Sequence, residues 1–531
     1  MFDYIVIGGG SAGCVLASRL SEDPTVSVCL LEAGPRDSSA LIHCPAGLAV
    51  LAKNGQANWA FETVPQAGLN GRRGYQPRGK VLGGSSSINA MVYIRGQRED
   101  YDHWAALGNP GWSFDELLPY FKRAEHNERG ADAWHGSGGP LNVMDLRSPN
   151  RFGSLFVQAA QQAGLALNTD FNAACQDGVG MYQVTHKNGE RFSAAKAYVT
   201  PSLSRKNLQV MTDVRVTRIV LQDKRATGVE VVHGDGVARN IQVRREVLLC
   251  AGALQSPQLL MLSGIGAGAH LQEHGIAVAH DLPGVGLNLH DHVDVVQVVD
   301  APHLKDLFGL SFAGAWRLLK GIQEWRSQRS GMLTTNFAEA GGFIRSQPDL
   351  ATPDLQLHFV IGKLVNHGRK STLGHGYSCH VCLLRPRSRG SLRLASRDPS
   401  AAPLIDPAFL ADADDLDRMV RGFKQMRHIL SQSALAALGG RELSASASAR
   451  TDAQIADFVR NNADTIYHPV GTCRMGPGGM EVVDAELRVH GVNGLRVVDA
   501  SIMPRIVSGN TNAPVIMIAE KAAAMIRATR G

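Results

Sequence analysis

The chain has 531 residues, 44% hydrophobic and 19% charged, with 54 basic against 48 acidic side chains and a net charge of +6. That length is too great for one hydrophobic core and predicts two domains or one elaborated pair. The composition is ordinarily globular, and a mild positive balance spread along the chain gives no argument for a nucleic-acid partner.

The first element is an apolar strand, Asp3 to Ile7. It runs into Gly8-Gly9-Gly10-Ser11-Ala12-Gly13, a G-x-G-x-x-G, then an apolar helix and a second strand, Val26 to Leu31, ending at Glu32. Gly8 serves the tight turn, Gly10 the approach of backbone to a pyrophosphate, and Gly13 the packing of helix on strand. The pyrophosphate sits at the helix N-terminus, where free N–H groups and the dipole favour an anion. Glu32, nineteen residues after Gly13, is placed to accept hydrogen bonds from ribose hydroxyls. The glycines alone would be a weak signal. The full strand–turn–helix–strand–acid order predicts a dinucleotide site. No signal peptide fits ahead of a strand that opens at residue 2 or 3.

Residues 36–75 read as loop, and Arg78 to Gly96 as an unusual Gly/Ser-dense segment. Gly111 to Glu125 reads as a turn into a helix, with Ser113 and Glu116 forming a capping box. Short strands follow at Leu208 to Met211, Val214 to Leu221, Gly228 to Val232 and Ile241 to Cys250. Val247 to Ala269 carries no charge, but its Pro257, glycines and glutamines predict buried strand, turn and helix rather than a membrane span. Gly264-x-Gly266-x-x-Ala269 follows a helical run, not a strand, and is rejected as a second dinucleotide loop.

Residues 302–331 mix Phe308, Phe312, Trp316 and Trp325 with Lys305, Arg317, Lys320, Arg326 and Arg329. Such an amphipathic stretch suits a membrane surface, a channel lid or a plain domain helix. Leu355 to Ile361, Tyr377 to Leu384 and Gly390 to Leu394 alternate and predict an antiparallel sheet. Ile455 to Asn461 reads as helix, Gly494 to Asp499 as strand, and Asn512 to Arg530 as a final helix with Asn512 as its N-cap. The eight cysteines are scattered, as in a reduced intracellular protein. Cys379 and Cys382 fall on opposite faces of a strand, so no metal site is expected there.

A second group of motifs completes the pattern. Gly79-Lys80-Val81-Leu82-Gly83-Gly84-Ser85-Ser86-Ser87-Ile88-Asn89 is followed by Gly252-Ala253-Leu254-Gln255-Ser256-Pro257, running on to Ser263-Gly264-Ile265-Gly266. Then come His468-Pro469-Val470-Gly471-Thr472-Cys473-Arg474-Met475-Gly476, Val498 to Pro504, and Gly509-Asn510-Thr511-Asn512-Ala513-Pro514. With the N-terminal motif, this set resembles the glucose–methanol–choline (GMC) flavoprotein oxidoreductases over essentially the whole chain. It is nearest to the membrane-associated bacterial alcohol dehydrogenases of alkane degradation, and then to choline dehydrogenases.

The resemblance implies an α/β fold, a Rossmann-like FAD-binding domain with an interleaved substrate domain on an antiparallel sheet. The expected segments are 1–150, 191–300 and 462–531 for the first domain, and 151–190 and 301–461 for the second. It implies FAD, held by Gly8, Gly10, Ser11, Ala12, Gly13, Glu32, Ala33, Gly83, Ser85, Ser86, Asn89, Ala90, Met91, Val92, Val216, Asp499, Ala500, Asn510 and Asn512. Val216 matches a position against adenine, and Asp499 and Ala500 a loop near the ribityl chain. Relatives that bond flavin covalently carry a histidine where this chain has Ile88, so noncovalent FAD is expected.

The resemblance also implies His468 as catalytic base and Asn512 as its partner at the flavin. The chemistry suits the residues. A neutral imidazole is a suitable base near pH 7, and an asparagine hydrogen-bonds an alkoxide without competing for its proton. Pro469 disfavours helix at His468 and presents it from extended chain. The expected reaction is oxidation of primary alcohols to aldehydes, with a quinone or respiratory carrier as acceptor. The rivals are an oxygen-using oxidase, a choline dehydrogenase, and a non-redox flavin lyase or flavin-binding protein. The choline reading needs a carboxylate or aromatic cage for the ammonium, and the sequence places none. The expected location is the cytoplasm, with peripheral contact on the inner membrane face if the 302–331 stretch binds lipid.

Overall fold

The computed structural model describes residues 1–365 and 372–529, without the side chains of 52–54. Two sheets organise it. The first has seven strands. Leu208–Met211, Val28–Leu31, Phe2–Ile7 and the end of Ala238–Leu249 run parallel, with Leu495–Val497 parallel on the far side of Ala238–Leu249. The beginning of Ala238–Leu249 instead turns back through an antiparallel meander with Arg225–Val232 and Arg215–Gln222. Val28–Leu31 is buried along its whole length, and Phe2–Ile7 is buried after its first residue. Unbroken apolar runs of this kind are what a parallel sheet covered on both faces requires.

Helix Ser11–Leu20 packs closely on the first strand because residue 13 has no side chain. A Cβ there would lie 1.9 Å from the carbonyl oxygen of Gly8. The last helix, Asn512–Ala528, packs against this first helix. Their joint carries a buried charge, Glu520, which accepts from Arg19 Nε and from the Tyr198 hydroxyl. The expected end of that helix at Arg530 lies outside the described residues. Its N-cap is Thr511 and not Asn512, which is already the first helical residue.

The second sheet has eight antiparallel strands. Their order is Arg441–Glu442, Val293–Asp300, Gly374–Leu383, Leu355–Val360, Ala338–Ile344 and Gly178–Met181, with Gly309–Leu310 and Asp464–Thr465 added at its margins. One face, carrying Leu355, Leu357, Phe359, Cys379 and Val381, packs under helices Arg151–Gln162, Ala413–Leu430 and Asp452–Asn462. The other face carries His358, His380 and Asp294. Strand alternation accounts for this division. It also puts Cys379 and Cys382 in different clusters, as expected.

Three sequence expectations need correction. Val293–Asp300 and Asp464–Thr465 belong to the antiparallel sheet, although the expected segment boundaries put them in the nucleotide domain. Strand pairing, which sequence spacing does not show, decides this. Gly390–Arg393 does not join that sheet but pairs with Leu287–Leu289 and Leu404–Asp406 in a separate three-stranded one. The strand expected from Val214 begins at Arg215.

The Ser113–Glu116 capping box is present at helix Phe114–Ala124. Val247 to Ala269 is strand end, helix Gly252–Leu262 and turn. Among the described residues no helix is long and apolar enough to cross a membrane. All eight cysteines are free thiols, and only Cys175 is exposed.

Candidate active site

A large cavity of about 2160 Å³ runs from the glycine turn at the first helix to the polar face of the antiparallel sheet. Pockets for small ligands span roughly 300–1,000 Å³, so this one has room for a dinucleotide and a second molecule. All of the sequence-predicted site residues line it except Gly13, Gly83 and Ser86. Those three brace it from behind. Gly13 seats the helix. Ser86 Oγ donates to Gly83 O at 2.6 Å and accepts from Ala194 N at 3.0 Å.

The cavity fits a dinucleotide at its glycine end. Helix Ser11–Leu20 has no side-chain cap, so its first N–H groups are left to a ligand. A Cβ on Gly10 would meet nothing within 4 Å, so that backbone faces open space. Glu32 is only 6% exposed, and its carboxylate accepts from Gly9 N and Gly34 N, each at 2.8 Å. Burial nevertheless pushes its pKa up to about 7, against those two donors and Lys80. Asp499 is likewise raised by burial. It accepts from Ser256 Oγ at 2.5 Å and Gly252 N at 2.8 Å, and so caps helix Gly252–Leu262 beside the cavity.

The Gly/Ser-rich segment closes one side. Arg191, fully buried, donates from Nη1 to the Asn89 carbonyl at 2.7 Å, to Asn89 Oδ1 at 2.9 Å and to Ser86 O at 3.2 Å. Asn89 Oδ1 also accepts from Met91 N, whose φ is +58°. The side chain of Asn89 therefore shapes the loop as well as facing the cavity.

At the far end stands His468. Its backbone N–H donates to Asp291 Oδ1 at 2.8 Å, and Asp291 is anchored in turn by Thr465 Oγ1 and Gln76 Nε2. The imidazole Nδ1 lies 3.1 Å from Nδ1 of His292, with the rings nearly perpendicular. Nε2 lies 3.4 Å from Asn510 Nδ2. Asn510 is fixed from its other side, where Oδ1 accepts from Gln356 Nε2 at 3.2 Å. Burial first, and then His292, His358 and Arg78, hold the His468 pKa well below that of an ordinary histidine. The imidazole is neutral at physiological pH.

The structure places both motif asparagines on the cavity. Asn512, expected as the partner of His468, lines it with its Oδ1 accepting from Ser11 Oγ at 2.7 Å. It ties the start of the last helix to the start of the first. Asn510, expected only among the cofactor contacts, is the asparagine beside the imidazole. One residue, Thr511, separates them, and motif spacing does not resolve which of the two lies beside the ring.

Sequence reasoning also missed His292, Asp291, His358, His380, Asp294 and Arg78. The run His290-Asp291-His292-Val293-Asp294 was the available signal, since four ionisable positions out of five so close to a strand are costly to bury without a task. His358 and His380 face each other across adjacent strands. Asp294 Oδ2 lies 2.6 Å from His380 Nδ1. Arg78 donates to the backbone carbonyl of Tyr467, one residue before His468, and burial lowers its pKa to about 10.

Helix Phe312–Gln328 covers another part of the cavity, which Leu318, Ile322 and Trp325 line. Leu310, Phe312, Leu318 and Leu373 both line the cavity and stand exposed, so the cavity reaches the surface there.

Comparison with known proteins agrees with this architecture. Two family models described as GMC oxidoreductase match residues 2–294 and 386–519. The chain is 48% identical to an alcohol dehydrogenase [acceptor] of Pseudomonas putida, over 99% of this chain and 96% of that one. It is 44% identical to the mitochondrial choline dehydrogenase of Homo sapiens, over 99% and 90%. Among solved structures, pyridoxine 4-oxidase from Mesorbium loti superposes with a TM-score of 0.88 at 32% identity, covering 99% of both chains. A formate oxidase superposes with a TM-score of 0.91 at 28% identity, covering 99% of this chain and 98% of that one. The chain belongs to the GMC oxidoreductase family.

Proposed function

We propose that this protein is an FAD-dependent alcohol dehydrogenase that oxidises primary alcohols to aldehydes and passes the electrons to a quinone or another non-nicotinamide acceptor. The observation that carries this reading is the neutral His468, with Nδ1 against His292 and Nε2 beside Asn510, in the same cavity as the glycine turn. The 48% identity to an alcohol dehydrogenase [acceptor] supports it.

FAD, when bound, supplies the acceptor for the hydride that leaves the alcohol carbon. The chain does the rest. His468 accepts the hydroxyl proton at Nε2, and Asn510 Nδ2 donates a hydrogen bond to the oxygen as charge grows on it. The apolar walls from Phe308, Phe337, Val360 and Ile466 keep water from competing for that proton. Ile88 offers no nucleophile at the position where some relatives bond flavin, so the cofactor is held noncovalently.

The cavity's opening supports the acceptor and location proposed here. The exposed Phe312 and Leu373, near Lys305, Arg317 and Lys320, form a basic apolar rim suited to an anionic membrane surface. The protein then works in the cytoplasm, at the inner membrane face, where a quinone is at hand.

A second reading, choline or a similar cationic alcohol, is favoured by one observation. The Asp294 carboxylate, which the sequence did not place, lines this cavity. The test is anaerobic mixing of the purified flavoprotein with aliphatic alcohols, aromatic alcohols and choline while the flavin absorbance is followed. Bleaching by primary alcohols but not choline is expected. Bleaching by choline alone favours the second reading, and no bleaching overturns both. Rapid recolouring in air rather than with a quinone marks an oxidase.

A further inference from the structure

We infer that His292 is a positioning residue that fixes the tautomer of His468, holding its single ring proton on Nδ1 and leaving Nε2 as the proton acceptor. The role of Nε2 rests on the proposed alcohol oxidation, but the tautomer does not.

The argument is one of donors and acceptors. His292 is completely buried. Its Nε2 lies 3.0 Å from the carbonyl oxygen of Leu384 and 3.1 Å from that of Val507. Neither carbonyl can donate, so Nε2 must carry the proton. Burial lowers the His292 pKa to about 4, which leaves one ring proton, already spent on Nε2. Its Nδ1 is therefore a lone pair, and that lone pair lies 3.1 Å from Nδ1 of His468. Two lone pairs at that distance would repel with nothing between them. His468 Nδ1 must supply the hydrogen. Because His468 is also neutral, its Nε2 is left unprotonated. There it meets Asn510 Nδ2, a donor, at 3.4 Å. Each contact in the chain from the Leu384 and Val507 carbonyls to the cavity then has one donor and one acceptor.

The arrangement also serves the step itself. When Nε2 takes the substrate proton, the His468 ring becomes an imidazolium with N–H groups on both nitrogens. Its Nδ1–H already has an acceptor in His292, so no buried donor is left without a partner. The other charged or titratable groups facing His468 come from different elements. They are Asp291 on its backbone N–H, His358 from the antiparallel sheet and Arg78 from the Gly/Ser-rich side. None of them is within hydrogen-bond distance of its Nδ1, so the tautomer is set by His292.

The test compares three variants of the intact flavoprotein. His292→Asn keeps an acceptor near the position of Nδ1. His292→Gln keeps a group near Nε2 but removes that acceptor, and His292→Phe removes both. Nitrogen NMR of ¹⁵N-histidine-labelled oxidised enzyme, with the His468 signals found by subtraction against His468→Gln, reads the tautomer without substrate. In wild type and His292→Asn, an unprotonated Nε2 and a protonated Nδ1 are expected on His468. In His292→Gln the proton should spread to Nε2, and flavin reduction by alcohol should fall by about 10²-fold or more, as for other bases held in the wrong tautomer. His292→Asn should stay within about tenfold of wild type. A wild-type His468 protonated on Nε2 overturns the inference. So does a His292→Gln enzyme with the wild-type tautomer, or a His292→Asn enzyme as slow as His292→Gln. The NMR outcome stands even if no alcohol is oxidised, so failure of the inference and failure of the proposed function are distinguishable.

Discussion

Asn510 and His468 face each other across the cavity wall, with Asn510 Nδ2 3.4 Å from His468 Nε2. Asn512, two residues on, bonds Ser11 instead. The two asparagines of one short motif therefore do different work, and substitution should separate them. Asn510→Ala should slow flavin reduction by alcohol about 10- to 10²-fold, the worth of a hydrogen bond to a charged group. Asn512→Ala should reduce at close to the wild-type rate but lower stability by about 1 kcal/mol. Anaerobic stopped-flow and thermal unfolding measure the two. The reverse pattern in the reduction rates would return the partner role to Asn512.

His468→Ala should keep its flavin, because the glycine turn and Glu32 lie at the other end of the cavity. Its reduction by alcohol should fall by about 10² to 10⁴, the usual value of a positioned general base. The pH profile carries the sign. His468 is depressed chiefly by burial, with His292, His358 and Arg78 adding to the effect, so it stays neutral down to well below pH 6.5. The wild-type rate should hold through neutral pH and fall only in that lower range, as the ring is protonated and cannot accept. In His468→Ala this limb should vanish. Wild-type reduction rates in the variant would leave His468 as a structural histidine.

Glu32 is the sharpest test of the nucleotide end. Glu32→Ala should weaken FAD retention by roughly 1.5–3 kcal/mol and yield flavin-poor protein. In the free protein burial raises this carboxyl to about pH 7. Ribose hydroxyls donating to it favour the carboxylate, so its pKa should fall when FAD binds. Affinity should then be flat above pH 7 and decline below it, by at most about tenfold per pH unit. Titration of the flavin-free protein with FAD at several pH values checks this. An affinity that improves on acidification would take Glu32 off the ribose. Acid precipitation of the holoprotein should leave colourless protein and yellow supernatant.

The rim of the cavity predicts membrane binding. Phe312 is 95% exposed and Leu373 82% exposed, with Trp316 and Leu319 also on the surface. The protein should co-sediment with anionic vesicles at low salt and release as salt screens the basic residues. Replacing Phe312 and Leu373 by serine should weaken sedimentation without changing flavin content. Failure to sediment at any salt concentration would leave helix Phe312–Gln328 as a lid alone.

The sequence by itself determined the nucleotide end of this protein. Gly8, Gly10, Gly13 and Glu32 act through local backbone, and their physics is written in consecutive residues: a turn, a close approach, an uncapped helix and an acid at the next strand's end. The antiparallel sheet was legible too, because alternation in Leu355–Val360 and Gly374–Leu383 is a local pattern. It fixed Cys379 and Cys382 on opposite faces before any pairing was known. The place of His468 on the cavity was also legible, through its motif.

What surrounds His468 was decided only by tertiary structure. His292 lies 176 residues from His468, His358 is brought opposite His380 by strand register, and Gln356 holds Asn510 from a third element. No spacing rule relates such residues, because chain separation does not constrain the register of a sheet. The same reason misplaced the boundary at residue 300, since Val293–Asp300 is assigned by its hydrogen-bonded partner and not by its own sequence. That Asn510 stands beside the His468 ring depends on the turn from Gly509, whose φ is +151°, before the helix begins at Asn512.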